Sequence, residues 1–179
     1  YAQIANSRYI GTGESNDFII KVDDIIKSIK ENNPKLTIIC NPNNPTGKLI
    51  DPDLMLDIIT YCRMNQIYVV IDECFMEFSN ESVVDEIENY DNLIVVKTMS
   101  KAFSMAGIRT GYLIAGEDII KTIEKVRPPY NLNSISAFLA TEALKEKDKM
   151  LEYVKTLKVE RKKVYNSLLD MGVKAYKSG

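Results

Sequence analysis

Histidine and tryptophan are both absent from this chain of 179 residues. Without histidine, the chain lacks the commonest metal ligand and the side chain that most often carries protons near pH 7. We therefore expect no metal site, and any acid–base chemistry must use lysine, tyrosine, aspartate, glutamate or a cofactor. The remaining composition is that of a globular protein, because 45% of the residues are hydrophobic, enough to bury one sizeable core.

The chain also lacks a charge excess, a long apolar run and a cysteine-pair motif. Its 23 basic and 25 acidic residues give a net charge of −2, so we expect neither nucleic acid nor a membrane as a partner. No apolar run approaches the ~20 residues of a membrane-spanning helix. The three cysteines form no C-x-x-C pair and lie in or beside apolar segments, which is typical of a reduced, cytoplasmic protein.

Short apolar runs alternate with helical patterns along the chain. Strands are predicted at four runs: "LTIIC", "IYVVID", "LIVV" and "GIRTGYLIAG". Helical patterns occupy residues 22–33, 51–65 and 82–89, and almost all of 134–171 with a break near 145–148. The second helix should begin with Asp51 as its cap and Pro52 in its first position. This alternation is typical of an α/β protein, a three-layer α/β/α sandwich with a mostly parallel sheet covered on both faces.

The loops that follow the predicted strands are the candidate site, because ligands of open α/β sheets bind beyond the carboxyl ends of the strands. The loop "NPNNPTG" follows the first run, Asp72 ends the second, and "TMSK" follows the third. We expect these three loops to converge. The first holds asparagines between prolines, so it predicts a stiff loop that can fix an amide donor in place.

The side chains in these loops suit one kind of cofactor. Asp72, at the end of an apolar run, would be costly to ionise unless a cation faced it. Lys101 is a candidate amine nucleophile, since partial burial and a nearby cation activate an amine. Thr98, Ser100 and Arg109 combine hydroxyl donors with a planar guanidinium, as in a phosphate cradle. An amine, an anion site and a buried carboxylate together fit pyridoxal 5′-phosphate (PLP).

Each of these features also has an ordinary interpretation when taken alone. A lysine after a serine is most often a surface residue, and an aspartate after a strand is most often a cap or a turn residue. The sequence "NPTG" can be a simple turn. The functional interpretation therefore depends on the order and spacing of all of them.

Four motifs in this order resemble the large domain of fold type I PLP-dependent aminotransferases of class I/II: "NPNNPTG", "IDECFMEF", "TMSKAFSMAGIRTGY" and "RPPYNLN". Within that group the sequence is most similar to the histidinol-phosphate aminotransferases, and threonine-phosphate decarboxylases share much of the pattern. The resemblance implies the aspartate aminotransferase-like fold. It also implies transamination between 2-oxoglutarate and an amino-acid-like donor, histidinol phosphate or a related phosphorylated or aromatic amine.

The resemblance assigns roles to residues at matching positions. Lys101 would bind the cofactor aldehyde covalently and then move a proton between the substrate α-carbon and C4′ of the cofactor. Asp72 would pair with the pyridinium nitrogen, and Asn44 would donate to the cofactor's O3′. The phosphate would be held by Thr98, Ser100 and Arg109. Tyr1 is the candidate for an aromatic residue that stacks on the pyridine ring.

Phe75 is a departure from the pattern. Many aminotransferases of this family have a tyrosine at this position, and its hydroxyl donates a second hydrogen bond to O3′. Phe75 cannot donate, and phenylalanine here is more typical of the phosphothreonine decarboxylases.

In relatives, "RPPYNLN" runs near a subunit interface. The resemblance therefore implies a homodimer with Tyr130 and Asn131 near that interface.

The chain begins without methionine and ends in "VKAYKSG", where a further strand is predicted to start. We interpret residues 1–147 as a PLP-binding large domain without its N-terminal part. Residues 148–179 would be a long connecting helix and the start of a small C-terminal domain. On this interpretation the chain alone should turn over poorly, if at all.

Two alternatives stay open: a decarboxylase of the O-phosphothreonine type, and a PLP-binding effector domain of a transcription regulator.

Overall fold

The computed structural model describes residues 2–12, 18–79 and 81–178. The described residues form a four-stranded sheet and five α-helices. The strands are β1 (Leu36–Cys40), β2 (Tyr68–Asp72), β3 (Leu93–Thr98) and β4 (Gly111–Ala115). The helices are α1 (Val22–Asn32), α2 (Pro52–Met64), α3 (Glu117–Val126), α4 (Ser134–Lys145) and α5 (Lys147–Asp170).

The sheet has the spatial order β1-β2-β3-β4. The first three strands are parallel, and α2 lies between β1 and β2 in the chain, as expected for a crossover connection. β4 is antiparallel to β3, with Thr98 opposite Gly111. The prediction of an α/β protein with a mostly parallel sheet is therefore confirmed.

One face of the sheet carries the main core. Alternate side chains of the strands point to this face and pack against α1 and α2, because neighbouring residues of a strand face opposite sides. The strand contribution is Ile39, Val69, Ile71, Leu93 and Val95. The helices contribute Ile25, Ile29, Met55, Ile58, Ile59 and Cys62. Burial of each large aliphatic side chain contributes about 1.5–3 kcal/mol, which makes this layer the main source of stability among the described residues.

The two helices of this layer begin and end as their sequences predict. The Asp51 side chain accepts a hydrogen bond from the backbone N–H of Asp53 at 3.0 Å, and Pro52 is the first residue of α2. α1 ends at Asn32, and the capping residue Asn33 has a left-handed backbone with φ of 42°. Pro34, which follows, cannot continue the helix.

The opposite face of the sheet is less covered among the described residues. Ile38 in β1 is 67% exposed and Tyr68 in β2 is 50% exposed. The first apolar run therefore forms a strand as predicted, but it is an edge strand with only Ile39 buried. Within the described part of the chain, helices cover this end of the sheet on one face, and the expected cover on both faces is not complete there.

Three further predictions of local structure are wrong. Residues 82–89 contain only a 3-10 helix, Val84–Glu86, because Ser82 and Val83 are bound to the Glu73 carboxylate and the next hydrogen bonds are of the i to i+3 type. Residues 107–110 precede the fourth strand, which begins at Gly111. Residues 173–178 form no strand.

The helical C-terminal region agrees with the sequence. α4 and α5 are separated at Glu146, within the predicted break. α5 has 24 residues and contacts the 3-10 helix Met76–Phe78 that follows β2. A membrane-crossing helix, one both long and apolar enough, is absent from the described part of the chain.

Candidate functional site

The three loops predicted to converge begin side by side. The backbone N–H of Asn41, just after β1, donates to the Asp72 carbonyl at 2.9 Å. The N–H of Glu73, just after β2, donates to the Val96 carbonyl at 2.9 Å. These bonds extend the parallel ladder past the strand ends, so the loops leave the sheet at one edge. The predicted convergence is confirmed.

The loop after β1 is held by its own asparagines. Asn41 is 2% exposed, and its side-chain oxygen accepts a hydrogen bond from the Ile50 N–H at 2.9 Å. The Asn43 side-chain amide donates to the Thr46 hydroxyl at 2.8 Å. Gly47 completes the turn with φ of +66°, a conformation that favours glycine. The stiffness expected from the prolines is therefore reinforced by the side-chain amides of Asn41 and Asn43, which precede Asn44 in the loop.

Asp72 is half-buried at the end of β2, and its carboxylate is oriented by the next turn. Oδ1 accepts a hydrogen bond from the backbone N–H of Cys74 at 3.0 Å. Burial raises the pKa of the Cys74 thiol, and its hydrogen bond and charge interaction with Asp72 raise it further, to about 12. The thiol therefore stays protonated and donates to the carboxylate. Sequence reasoning missed Cys74 as a partner of Asp72, although its position two residues further on is the spacing of an Asx turn.

Lys101 lies in the loop after β3, with its Nζ 5.1 Å from the centroid of the Phe75 ring. This contact joins the loops after β2 and β3. The side chain is exposed, and within the described residues no carboxylate forms an ion pair with it. An ammonium on an aromatic face is only weakly held, by about 0.5–1 kcal/mol at an exposed site. The partial burial expected for this lysine is therefore not observed, and the contact with Phe75 is what positions its amine.

The hydroxyl residues of the predicted phosphate cradle lie in one turn. The Thr98 hydroxyl oxygen accepts a hydrogen bond from the Ser100 N–H at 3.1 Å and donates to the Thr110 carbonyl at 3.5 Å. Arg109 is exposed, and its guanidinium donates to the Ala106 carbonyl at 3.1 Å. The structure thus brings Thr98 and Ser100 together and folds Arg109 onto its own turn.

The other predicted site residues are placed separately. Tyr1 lies outside the described residues. Tyr130 is 99% exposed with a left-handed backbone, φ of 62°, and Asn131 is also exposed. Both precede α4, away from the three converging loops along the chain.

A cavity of about 440 Å³ opens beside the converging loops. Asn44 and Phe75 line it together with Phe78 and with side chains of α5, among them Leu157 and Val164. The volume is that of a small-molecule site. The contribution of α5 could not be predicted from spacing, because the helix reaches the site only through tertiary packing.

The donor set fits pyridoxal phosphate. It offers an amine without a carboxylate partner in the described residues, an oriented carboxylate at a neighbouring strand end and hydroxyls in the turn before the amine. Among the described residues, no group of three or more cysteine, aspartate or glutamate side chains is placed to hold a metal ion. The chain is thus an α/β domain that carries the donor groups of a PLP site at the carboxyl ends of its parallel strands.

The chain belongs to the aminotransferase class I and II family, whose family model matches residues 2–179. The histidinol-phosphate aminotransferase of Thermoanaerobacter sp. (strain X514) is 40% identical over 179 residues, covering 99% of this chain and 50% of that protein. The enzyme of the same name from Ruminiclostridium cellulolyticum is 40% identical over 166 residues, covering 92% of this chain and 46% of that protein. The chain thus spans about half the length of these curated relatives.

A solved structure has the same fold. The histidinol-phosphate aminotransferase from Clostridium acetobutylicum superimposes with a TM-score of 0.84 at 29% identity, covering 95% of this chain and 51% of that one. The L-threonine-O-3-phosphate decarboxylase from Porphyromonas gingivalis superimposes with a TM-score of 0.73 at 24% identity, covering 83% and 46%. The second likeness concerns the fold alone.

Proposed function

We propose that this chain forms the PLP-binding part of an aminotransferase whose amino donor is histidinol phosphate and whose amino acceptor is 2-oxoglutarate. The observation that carries the proposal is the contact of Lys101 with Phe75, which lies in the turn that begins at Asp72 and lines the same cavity as Asn44. The 40% identity to enzymes named histidinol-phosphate aminotransferase supports the choice of donor. The free cysteines of the described chain are consistent with a cytoplasmic protein.

Lys101 and Asp72 have different roles toward the cofactor. PLP, when bound, supplies an aldehyde that reacts with amines and a ring that withdraws electrons. Lys101 would hold the cofactor through its Nζ, and once the substrate amine had displaced that nitrogen, the free amine would take up the proton that leaves the substrate α-carbon. Asp72 supplies the negative charge that keeps a ring nitrogen protonated. Its orientation comes from the Cys74 N–H and thiol, so the carboxylate needs no rearrangement to act.

Hydrogen-bond donors hold the remaining parts of the cofactor. Thr98 and Ser100 bind its phosphate from one turn, and Arg109 adds a guanidinium fork. Asn44 donates to the oxygen on the ring. Phe75 offers only an apolar ring, so Asn44 is the donor that the loops after β1 and β2 provide there.

The proposal is tested by substrate choice in the full-length protein. Given PLP, it should convert histidinol phosphate and 2-oxoglutarate to glutamate and the corresponding phosphorylated ketone. We expect kcat/KM for this donor to exceed that for O-phosphothreonine by at least about tenfold, the low end of the discrimination that pocket contacts provide. Glutamate formation and carbon dioxide release are measured in parallel. Preferential release of carbon dioxide from O-phosphothreonine would establish the decarboxylase instead, and cofactor binding without turnover would favour the regulator.

We also propose that the full-length protein is a homodimer with Tyr130 and Asn131 near the interface. The C-terminal end of α3, the segment before α4 and α4 itself present large exposed apolar side chains. These are Val126 at 79%, Tyr130 at 99%, Ile135 at 71% and Phe138 at 63% exposure. Large exposed apolar side chains concentrated in one stretch of the chain favour an interface there. The family resemblance implies homodimers, so the proposed partner is a second copy of the chain.

A charge placed in this surface should weaken the dimer. We expect Phe138→Asp to raise the dimer dissociation constant at least about tenfold, since an unpaired charge is costly to bury at the centre of an interface. Sedimentation equilibrium measures the change. Met64→Asp is the matched control, because Met64 in α2 is 79% exposed and lies outside this surface. Equal dissociation constants for Phe138→Asp and the wild type would place the interface elsewhere.

A further inference from the structure

A buried ion cluster lies directly behind the site, and the proposed function does not use it. Lys97 Nζ is 2.9 Å from Glu73 Oε2 and 3.2 Å from Glu77 Oε1. The three side chains are 12%, 0% and 12% exposed. Such burial of charge is costly unless the groups are paired and hydrogen-bonded, so this arrangement constrains its surroundings strongly.

Glu73 binds more than the lysine. Its Oε2 accepts a hydrogen bond from the Ser82 hydroxyl at 2.6 Å, and its Oε1 accepts one from the Val83 N–H at 2.8 Å. The carboxylate therefore ties the end of β2, the loop that follows it and β3 to one point. The loop between them carries Cys74 and Phe75, both of which contact site residues.

The cluster lies next to functional residues in both strands. Glu73 follows Asp72, and its backbone N–H binds the Val96 carbonyl. Lys97 precedes Thr98 in β3. Because neighbouring residues of a strand point to opposite sides, Lys97 extends away from the side on which Thr98 points. The ion cluster thus lies beneath the strand ends that carry the functional groups.

The charge of Lys97 is secured by its partners. Burial lowers the pKa of this lysine, but its hydrogen bonds to Glu73 and Glu77 and their charges outweigh burial and raise the pKa overall. Tyr112 of β4, opposite Lys97 in the register, stays neutral because burial raises the pKa of its phenol. Lys97 therefore remains an ammonium held by two carboxylates and does not compete with Lys101 for an aldehyde.

We propose that Lys97 is a positioning residue. By holding Glu73 and Glu77 in one cluster, it fixes the carboxyl ends of β2 and β3, and with them Asp72 and Thr98, at the spacing that the bound cofactor requires. This inference rests on the proposed function, because it concerns the same site. It assigns Lys97 no contact with cofactor or substrate.

The test uses full-length holoenzyme and the variant Lys97→Met. We expect the dissociation constant for PLP to rise by about tenfold, the lower end of what outer-shell partners contribute at metal sites. We expect kcat to fall by about 10–100-fold, since small misplacements of reacting groups have effects of this size. Visible circular dichroism of the bound cofactor should change, because it reports how the cofactor is held. Lys97→Arg keeps a buried cation with two donors for the carboxylates and should restore the signal.

A second variant distinguishes loss of positioning from loss of folding. It is needed because Lys97→Met leaves buried carboxylates without a cation, which can unfold the protein. The triple variant Lys97→Met, Glu73→Gln, Glu77→Gln removes all three charges, while the side-chain amide introduced by Glu73→Gln can still meet Ser82 and Val83. It should fold, as far-UV circular dichroism will show, and should still bind PLP about tenfold more weakly than the wild type. Lys145→Met is the control, since it loses only an exposed ion pair with Glu142.

The outcomes separate this inference from the proposed function. A wild type that binds PLP and a folded triple variant with the same affinity and dichroism would overturn the positioning role alone. A wild type that does not bind PLP would overturn the proposed function and the positioning role with it. Weakened binding in the triple variant, with Lys145→Met unchanged and Lys97→Arg restored, would establish the role.

Discussion

Replacing Lys101 by alanine in the full-length protein is expected to abolish covalent cofactor binding and to reduce turnover by about 10⁴-fold or more, the scale seen when a nucleophile is removed. Lys101 presents an amine at the carboxyl edge of the sheet, on the Phe75 ring. Lys97, the other lysine of this strand and loop, is held by two carboxylates. After borohydride reduction, the wild type should therefore keep the pyridine ring through unfolding as a stable secondary-amine adduct, detected by its near-ultraviolet absorbance and by peptide mass, and Lys101→Ala should release the cofactor.

Lys101→Arg is the matched variant for this measurement. It keeps the positive charge near Phe75 but cannot form the covalent bond, so it should lose the adduct as completely as Lys101→Ala while retaining more non-covalent affinity for the phosphate ester. Lys121→Ala, which loses only an exposed ion pair with Glu117, should behave as the wild type. An adduct that persists in Lys101→Ala, mapped by peptide mass to another lysine, would contradict the assignment.

Much of the scaffold of the site was predictable because it follows from the spacing of apolar residues and from the residues that begin and end helices and strands. The apolar runs of β1, β2 and β3 are short and bounded by loops, and helical spacing with the Asp51 cap predicts α2 between the first two. Parallel strands then place their carboxyl ends at one edge. The meeting of Lys101 with Phe75 follows from this topology.

The partners that orient the site could not be predicted, because they depend on register and on loop packing. Glu73 and Lys97 are 24 positions apart in the chain and meet only because β2 and β3 are neighbours in a fixed register. Glu73 also explains why residues 82–89 do not form the predicted α-helix. Their first two residues are bound by Glu73, and the chain continues in 3-10 bonds toward β3.

α3 was missed for a different reason. The strand prediction ends at Gly116, and the apolar residues that follow it, Ile119, Ile120 and Ile123, have the spacing of a helix that was not predicted. Glu117 and Asp118 in the first turn and Lys125 in the last are the helix signals that were available. Local sequence could have identified this helix, whereas no local signal predicts that α5 lines the cavity.

Asp72→Asn is expected to leave the cofactor covalently bound and to lower kcat by about 10²–10³-fold, as the loss of one preorganised electrostatic group does. The substitution keeps the shape of the side chain and an oxygen for the Cys74 N–H at the Oδ1 position. It removes the negative charge that would keep a ring nitrogen protonated, so electron withdrawal weakens while binding through Lys101 remains. The measurement is a single-turnover rate of α-proton exchange on histidinol phosphate, with borohydride adduct formation as the test of binding.

Two control variants test whether the effect of Asp72→Asn is specific to the charge of Asp72. Asp57→Asn changes a carboxylate of α2 outside the three converging loops and should leave both the exchange rate and the adduct unchanged. Cys74→Ala removes the thiol that donates to Asp72 but keeps the carboxylate and the backbone N–H, so it should lower the rate by less than Asp72→Asn. A normal exchange rate in Asp72→Asn would show that charge at the end of β2 is not used. Loss of the adduct would instead show that Asp72 is needed to assemble the site, because Lys101 is intact in this variant.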